Sequence, residues 1–126
     1  MAEYSFLKPS SVELKPSKGS GTLHVDLVDE LDGTNMRPKL WYLDPGDAMS
    51  FHRQTEQEEI YFVVEGPGRM RIEDEYHDVP EGTFVRVPPE TRRQVLNDTD
   101  SGRHVWLVVG APPTEEDGRV VDDAET

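Results

Sequence analysis

The sequence predicts an all-β sandwich or barrel in a single domain. Apolar and polar residues alternate with a period of two, as at Leu23, Val25 and Leu27, which is typical of half-buried strands. Turns rich in Gly and Pro separate many such short runs, and neither an internal repeat nor a convincing amphipathic helix interrupts them. A chain of 126 residues has room for one barrel and one hydrophobic core.

Residues 1–21 are predicted to form an N-terminal arm. They contain two Lys-Pro pairs and the segment SKGSG, which disfavour a regular helix, so we expect an arm or an edge strand lying on another surface. The barrel is predicted to span residues 22–111. Its first strand carries His24 on the polar face, where we expect a solvated side chain, and residues 29–37 are predicted to form a loop.

The next predicted strand, residues 40–43, ends at a Pro-Gly turn. An apolar run over residues 59–64 is followed by Gly66 and Gly68, whose tolerance of positive φ predicts a hairpin to residues 69–73. His77 is predicted to lie in an exposed turn. The sequence therefore gives this half of the barrel short strands and tight connections.

The second half of the chain continues the pattern. Arg93, Val95 and Asn97 share one face of a predicted strand, and residues 105–110 form a nearly all-apolar strand suited to a position covered on both faces, with Trp106 in the core. Residues 112–126 hold six acidic residues against one Arg, so we expect an acidic, flexible C-terminal tail.

The charge balance excludes some functions. The chain has 26 acidic and 13 basic residues, for a formal net charge of −13. Nucleic-acid binding requires a basic surface, so no nucleic-acid partner is expected. Self-repulsion of this size is screened at high salt, which favours an acidic, halophile-like surface from a salt-adapted source, with an ordinary acidic protein as the alternative.

Cysteine and long apolar segments are both absent. Without cysteine the chain forms no disulfide and no thiolate site. No stretch of 18 consecutive apolar residues occurs, and the first 15 residues lack the apolar run of a signal peptide. We therefore expect a cytoplasmic protein with no membrane partner.

The chemistry-bearing residues lie in the segment GDAMSFHRQTEQEEIYFVVEG, residues 46–66. His52 and Gln54 are two residues apart, so on a strand their side chains share a face. Glu59 begins the next apolar run, and Tyr61 alternates with it. Two adjoining strands would therefore present these four side chains to one interior.

This segment, from Gly46 through His52 and Glu59 to Gly66, resembles the first motif of the cupin family, and residues 82–97 resemble the second motif. Two motifs in order, at the separation expected for the family, make the resemblance specific. It implies an antiparallel double-stranded β-helix, a jelly-roll barrel. In single-barrel cupins the N-terminal arm often crosses to a partner, so the resemblance also implies a homodimer.

The resemblance implies a metal site that is altered here. Metal-binding cupins typically use two His and one Glu from the first motif and one His from the second, and this chain has His52, Gln54, Glu59 and Arg93 at those positions. Two alternatives follow. Either His52, Gln54 and Glu59 hold one divalent transition metal, Fe, Mn, Ni or Zn, or no metal binds and Arg93 pairs with Glu59.

Function is predicted only at the level of a class. His52 is a candidate general acid or base and Tyr61 a candidate donor, while Arg93 and Gln54 are candidate ligand-binding residues for a small polar or anionic substrate. Cupins include dioxygenases, sugar isomerases and epimerases, and decarboxylases. The alternative is a module that binds a small metabolite without turnover, so the sequence leaves open whether the protein is an enzyme.

Overall fold

A computed structural model describes residues 4–114 and 117–121. It consists of short strands with one short helix and a 3₁₀ turn at Pro9–Ser11. The elements in chain order are β1 (Lys15–Pro16), β2 (Leu23–Asp26), α1 (Leu27–Leu31), β3 (Arg37–Leu43), β4 (His52–Gln54), β5 (Glu58–Glu65), β6 (Gly68–Ile72), β7 (Glu75–Val79), β8 (Phe84–Val87), β9 (Arg93–Leu96), β10 (His104–Ala111) and β11 (Gly118–Val120).

The strands form two antiparallel sheets, which confirms the predicted all-β jelly-roll barrel. The six-stranded sheet has the order β1-β2-β3-β10-β5-β8, and the five-stranded sheet has the order β11-β4-β9-β6-β7. The apolar strand β10 lies between β3 and β5. Most of its residues are buried, as expected of a strand covered on both faces. Within the described residues, no helix is long and apolar enough to cross a membrane.

The core lies between the two sheets. Trp106 is fully buried, and its ring packs so closely on β6 that a Cβ added to Gly68 would meet it at 2.4 Å. A side chain at residue 68 would therefore displace the indole, which explains why glycine occupies the position. The other buried residues of this cluster are Trp41, Leu43, Met49, Tyr61, Val63, Met70, Val79, Val87, Val95 and Val108.

The predicted hairpin between residues 59–64 and 69–73 is wrong. β5 pairs with β10 and β8 in one sheet, whereas β6 pairs with β7 and β9 in the other. Residues 66 and 67 therefore carry the chain across the barrel. The hairpin is one connection later, between β6 and β7, so His77 lies on a strand, exposed as expected.

The predicted loop at residues 29–37 begins inside a helix. Asp26 caps the N-terminus of helix α1, because its carboxylate accepts hydrogen bonds from the backbone N–H groups of Val28 and Asp29. Asp32, with φ 57°, caps the C-terminus, and Gly33 N–H donates to Val28 O. A helix of five residues is too short to show a helical period in the sequence. The capping residues Asp26 and Asp32 were a local signal of this helix.

Both segments that flank the predicted barrel add strands to it. In the predicted arm, β1 pairs with β2 at the edge of the six-stranded sheet. Of the two alternatives for this segment, an arm or an edge strand, the structure has an edge strand at β1. In the predicted tail, β11 pairs with β4, and Val121 is buried. The expectation of a loose tail is therefore corrected for residues 117–121. Residues 115, 116 and 122–126 lie outside the described part of the chain.

Candidate functional site

A cavity of about 260 Å³ opens at one end of the barrel. Its wall comes from the start of β3, from β4 and β5, and from the two flanking segments. The lining residues are Ser17, Gly19, Ser20, Arg37, Lys39, Trp41, Met49, Ser50, His52, Gln54, Gln57, Glu59, Tyr61, Val108, Thr114, Asp117 and Gly118. Four of them, His52, Gln54, Glu59 and Tyr61, are the residues that the sequence placed together.

Strand β4 presents His52 and Gln54 to this cavity, and His52 pairs with Arg93 across β4 and β9. Gln54 is 8% exposed, and its Oε1 has no hydrogen-bond partner among the described residues. A buried amide oxygen without a partner costs free energy, so Gln54 Oε1 is an acceptor available to a bound molecule.

Glu59, Tyr61 and Arg93 form a buried cluster under the cavity. The Tyr61 hydroxyl donates to Glu59 Oε1 at 2.7 Å, and Arg93 Nη2 lies 3.2 Å from the same oxygen. Arg93, predicted to bind the ligand, is fully buried and is not among the residues that line the cavity, so this role is corrected to an ion pair with Glu59. Its Nη1 donates to Thr91 O. Burial raises the pKa of Tyr61 well above its ordinary value, with the Glu59 carboxylate acting in the same direction, so the phenol stays protonated.

His52 is held as a neutral imidazole. Its Nδ1 lies 2.9 Å from Ser50 O, and a carbonyl oxygen only accepts, so Nδ1 carries the hydrogen. Burial lowers the pKa of His52 below its ordinary value of 6.5, against the opposing effects of the Ser50 hydrogen bond and the Glu59 carboxylate. The Nε2 lone pair is therefore free to accept a proton or a hydrogen bond near neutral pH.

Asp117 fixes the C-terminal segment against the cavity. Its carboxylate accepts hydrogen bonds from the backbone N–H groups of Thr55, Glu56 and Gln57, and from the Thr55 hydroxyl. Burial alone would raise its pKa, but these hydrogen bonds together lower it, so the carboxylate stays ionised. Gln57 also donates to Pro112 O and Thr114 O. The segment that the sequence predicted as flexible is therefore part of the cavity wall.

The cavity also contains two cations that the sequence reasoning missed. Arg37 and Lys39 lie on β3, and both line the cavity together with Trp41. The signal was available, because residues 37, 39, 41 and 43 alternate along one strand and Trp41 and Leu43 are core residues. The prediction began this strand at residue 40 and so left both basic residues in or near a loop.

The donor set does not fit a resident divalent metal. Glu59 is already engaged by Tyr61 and Arg93, and the guanidinium is a permanent positive charge at the place where metal-binding cupins have an imidazole. A dication on Glu59 would lie within a few ångströms of that charge. Among the described residues, no group of three or more His, Cys, Asp or Glu side chains is arranged to hold a metal.

His24, His104 and Asn97 lie outside the cavity wall. His24 is stacked on Trp41, with ring centroids 4.8 Å apart, so the expectation of a solvated side chain is wrong. His104 is 2% exposed, and neither of its ring nitrogens has a partner among the described residues. The Asn97 amide donates to Leu43 O and Gly102 O and so ties two loops together.

Comparison with known proteins agrees with this architecture. A sequence model of the cupin domain matches residues 39–110, more than half of the chain. The chain belongs to the cupin family. The uncharacterized protein MJ1618 of Methanocaldococcus jannaschii is 26% identical over 77 residues, which are 61% of this chain and 62% of that protein. This chain thus spans less than two thirds of the length of that relative.

Two solved structures illustrate the range of proteins with this fold. A sugar phosphate isomerase of the cupin superfamily from Silicibacter pomeroyi is 25% identical, with a TM-score of 0.73 over 84% of this chain and 74% of its own. The polyketide cyclase RemF from Streptomyces resistomycificus has a TM-score of 0.81 over 94% of this chain and 85% of its own, at 19% identity. These similarities support a cupin-type small-molecule protein without selecting one reaction.

Proposed function

We propose that the cavity binds a small polar molecule and that His52 transfers a proton on it without a metal. The observation that carries this proposal is the state of His52. Its Nδ1 is held by Ser50 O, its pKa is lowered by burial, and it lines the cavity, so Nε2 is a neutral base next to the bound molecule.

The neighbouring acids leave His52 to act alone. Glu59 is engaged by Tyr61 and Arg93, and Asp117 is engaged by backbone N–H groups. A single base favours the isomerisation of a hydroxy-carbonyl compound, in which the same group removes a proton from one carbon and returns it to the neighbouring carbon. The hydroxyl proton of the substrate passes to the former carbonyl oxygen, so no further acid or base is consumed. The structural similarity to a sugar phosphate isomerase supports this class of reaction.

Tyr61, Glu59 and Arg93 then have supporting roles. Tyr61 and Arg93 both contact the Glu59 carboxylate, and the charge of Glu59 favours the imidazolium that forms when His52 takes a proton. Gln54 Oε1 accepts a hydrogen bond from the ligand. In this proposal Arg93 acts through Glu59 and does not contact the substrate.

The experiment measures the exchange of carbon-bound hydrogen in the substrate for deuterium from the solvent. A panel of small hydroxy-aldehydes and hydroxy-ketones, with and without phosphate, is incubated with the protein in D₂O, and deuterium incorporation is measured by NMR. We expect exchange with at least one compound, and its loss in His52→Gln with an unchanged melting temperature. Exchange that persists in His52→Gln would contradict the role of His52.

The second candidate is a binding module without turnover. This alternative is favoured because, among the described residues of the cavity, His52 is the one acid–base side chain that the proposal leaves available for proton transfer. The two functions separate in the D₂O experiment. A compound that binds but never exchanges hydrogen would support binding alone.

The homodimer implied by the family resemblance is also proposed. The outer face of the six-stranded sheet carries a cluster of apolar side chains: Ile60 and Val64 are 46% and 45% exposed, and Phe84 is 68% exposed and packs on Phe62 with ring centroids 4.4 Å apart. Such a face is suited to a second copy of the chain. Light scattering coupled to gel filtration should give twice the 14.3 kDa chain mass, and Phe84→Lys should reduce it.

A further inference from the structure

We propose that Arg37 and Lys39 form a subsite for the phosphate group of a small phosphorylated, hydroxylated molecule. The inference rests on the proposed function, since it names the substrate class of the same cavity. Both side chains lie on β3, two residues apart, and both are half-buried in the cavity wall. A strand places such side chains on one face, where both can contact one ligand group.

Arg37 is exceptional among the arginines. The chain has 26 acidic residues, and seven of the other eight arginines form an ion pair with a described residue. Neither Arg37 nor Lys39 has such a pair among the described residues, although Lys39 Nζ lies 5.7 Å from the centre of the Trp41 ring. In so acidic a protein, two half-buried cations that pair with no carboxylate of the described residues are suited to an anionic ligand.

Among the residues that the structure describes, the acids of the cavity do not supply that anionic partner. The Glu59 carboxylate is compensated by Arg93, and the Asp117 carboxylate is compensated by three backbone N–H groups. The charges of Arg37 and Lys39 therefore remain available at the cavity although the whole chain carries −13. Two full positive charges match a phosphate monoester, which is close to a dianion at neutral pH, better than they match a single carboxylate.

The donor types match as well. A guanidinium offers a planar pair of N–H groups to two oxygens, and an ammonium offers a point charge to a third. Phosphate has three terminal oxygens in a monoester, whereas a carboxylate has two. The combination of one Arg with one Lys on the same strand face is therefore more complementary to phosphate.

Other residues at the cavity offer acceptors, which suit ligand hydroxyl groups. The Thr22 hydroxyl donates to Ala48 O, so it accepts from Ser20, and Ser20 in turn accepts from Ser17. This chain of hydrogen bonds ends in the lone pairs of Ser17 Oγ at the cavity. Gln54 Oε1 is a second acceptor without a partner among the described residues. A ligand with one phosphate group and several hydroxyl groups can pair with both the cations and the acceptors of the cavity.

The volume of the cavity limits the ligand. At about 260 Å³ it lies just below the range of roughly 300–1,000 Å³ that is usual for small-molecule pockets. A nucleotide or a coenzyme would not fit inside. The subsite therefore belongs to a compound with a few carbons.

The test uses glycerol 3-phosphate as the probe, with glycerol, lactate and inorganic phosphate as comparators, in calorimetry at constant ionic strength. The variants are Arg37→Gln, Lys39→Gln and the double variant, and the matched control is Lys8→Gln, because Lys8 is exposed and lies outside the cavity. Circular dichroism verifies that each variant is folded.

We expect glycerol 3-phosphate and inorganic phosphate to bind, and glycerol not to bind. Each single substitution should weaken binding about tenfold or more, since each removes a charge-assisted hydrogen bond, while Lys8→Gln should change it less than about twofold. Binding that is unchanged in the double variant, or an absence of phosphate-dependent binding in the wild type, would overturn the proposal. Lactate binding as tightly as the phosphate ester would replace phosphate by carboxylate and would also overturn it.

The two proposals fail in different ways. If phosphate binding depends on Arg37 and Lys39 but no phosphorylated compound exchanges hydrogen in D₂O, the subsite stands and the proposed catalysis fails. If exchange occurs with an unchanged KM in the double variant, the proposed catalysis stands and the subsite fails.

Discussion

Arg93 lies fully buried beneath the cavity, with Nη2 3.2 Å from Glu59 Oε1. The pair takes the place that a metal and its ligands occupy in metal-binding cupins, and it neutralises the buried carboxylate by a fixed cation. A buried ion pair costs desolvation, so its net contribution to stability is small. Removing one partner, however, leaves the other charge buried alone.

Arg93→Met should therefore destabilise the protein by about 3 kcal/mol or more, because Glu59 is left without a compensating charge. Chemical denaturation measures the change in the free energy of unfolding. The matched double variant Arg93→Met with Glu59→Gln should recover part of the loss, since it removes both charges. Equal destabilisation of the single and double variants would contradict the pairing.

The half-buried His52 and the buried His104 should make stability depend on pH. Burial lowers the pKa of His52 and of His104 below the ordinary 6.5, so below that pH the unfolded chain binds protons that the folded chain does not. The free energy of unfolding should then be constant above about pH 7 and fall as the pH drops from 6.5 towards 5, by up to about 1.4 kcal/mol per pH unit for each histidine.

Denaturation in 1 M KCl, where self-repulsion is screened, isolates this effect. His52→Gln and His104→Gln should each reduce the slope in this window. The lowered pKa of Asp117 acts at lower pH, as the pH falls below 3.8, and does not interfere. A slope that is unchanged in both variants would contradict the assignment.

The sequence predicted the site residues only where they lie within a recognisable motif. His52, Gln54, Glu59 and Tyr61 were placed in one interior by alternation and motif spacing, and all four line the cavity. Arg37 was missed because the strand was predicted to begin at residue 40, although Arg37 and Lys39 continue the alternation of Trp41 and Leu43. Asp117 and its backbone donors are 60 to 62 residues apart in sequence, and no local pattern reports such a contact.

Strand β11 lies in the segment that was predicted to be a flexible tail. It pairs with β4, the strand of His52 and Gln54, and Asp117 just before it holds the turn between β4 and β5. The short strand has three exposed residues and buries little apolar surface of its own. Its position therefore depends on the hydrogen bonds of Asp117 and on the buried Val121.

Asp117→Asn should release this segment. The amide replaces one acceptor oxygen by a donor that faces backbone N–H groups, so we expect a loss of about 1–3 kcal/mol in the free energy of unfolding. Amide hydrogen exchange of residues 55–57 and 118–120 should accelerate, while exchange in β10 should follow only the global change. Asp100→Asn, in an exposed loop, is the control and should alter neither.

At the level of elements, the strands were predictable and several of their connections were not. Alternation located most strands, since each has one buried face. The link between β5 and β6 was predicted as a hairpin because Gly66 and Gly68 suit a turn, but glycine also permits a crossing between sheets, and local sequence does not distinguish the two. Gly68 is required instead by its contact with Trp106.

The whole molecule combines a fold common to the cupin family with a strongly acidic surface. The jelly roll follows from two motifs whose spacing is set by the barrel, which is why the sequence predicted the architecture. The charge of −13 does not affect the choice of fold but adds repulsion to the compact state. This repulsion should make the thermal stability depend on the salt concentration.

Thermal stability should rise with KCl. At low ionic strength the acidic surface repels itself, and at 1 M salt the Debye length of about 3 Å removes most of that repulsion. Differential scanning fluorimetry from about 0.05 to 2 M KCl should show a steady increase of several degrees in the melting temperature. A decrease or a flat response would contradict both the repulsion argument and the expectation of a salt-adapted protein.

The central claim is that an Arg93 to Glu59 pair replaces the metal of this cupin site. Elemental analysis of protein purified without an affinity tag tests it most directly, with a Gln54→His and Arg93→His double variant prepared in parallel to restore the usual donor set. We predict well under one equivalent of Fe, Mn, Ni and Zn per chain in the wild type and a marked gain in the variant. Near-stoichiometric metal in the wild type would contradict the claim.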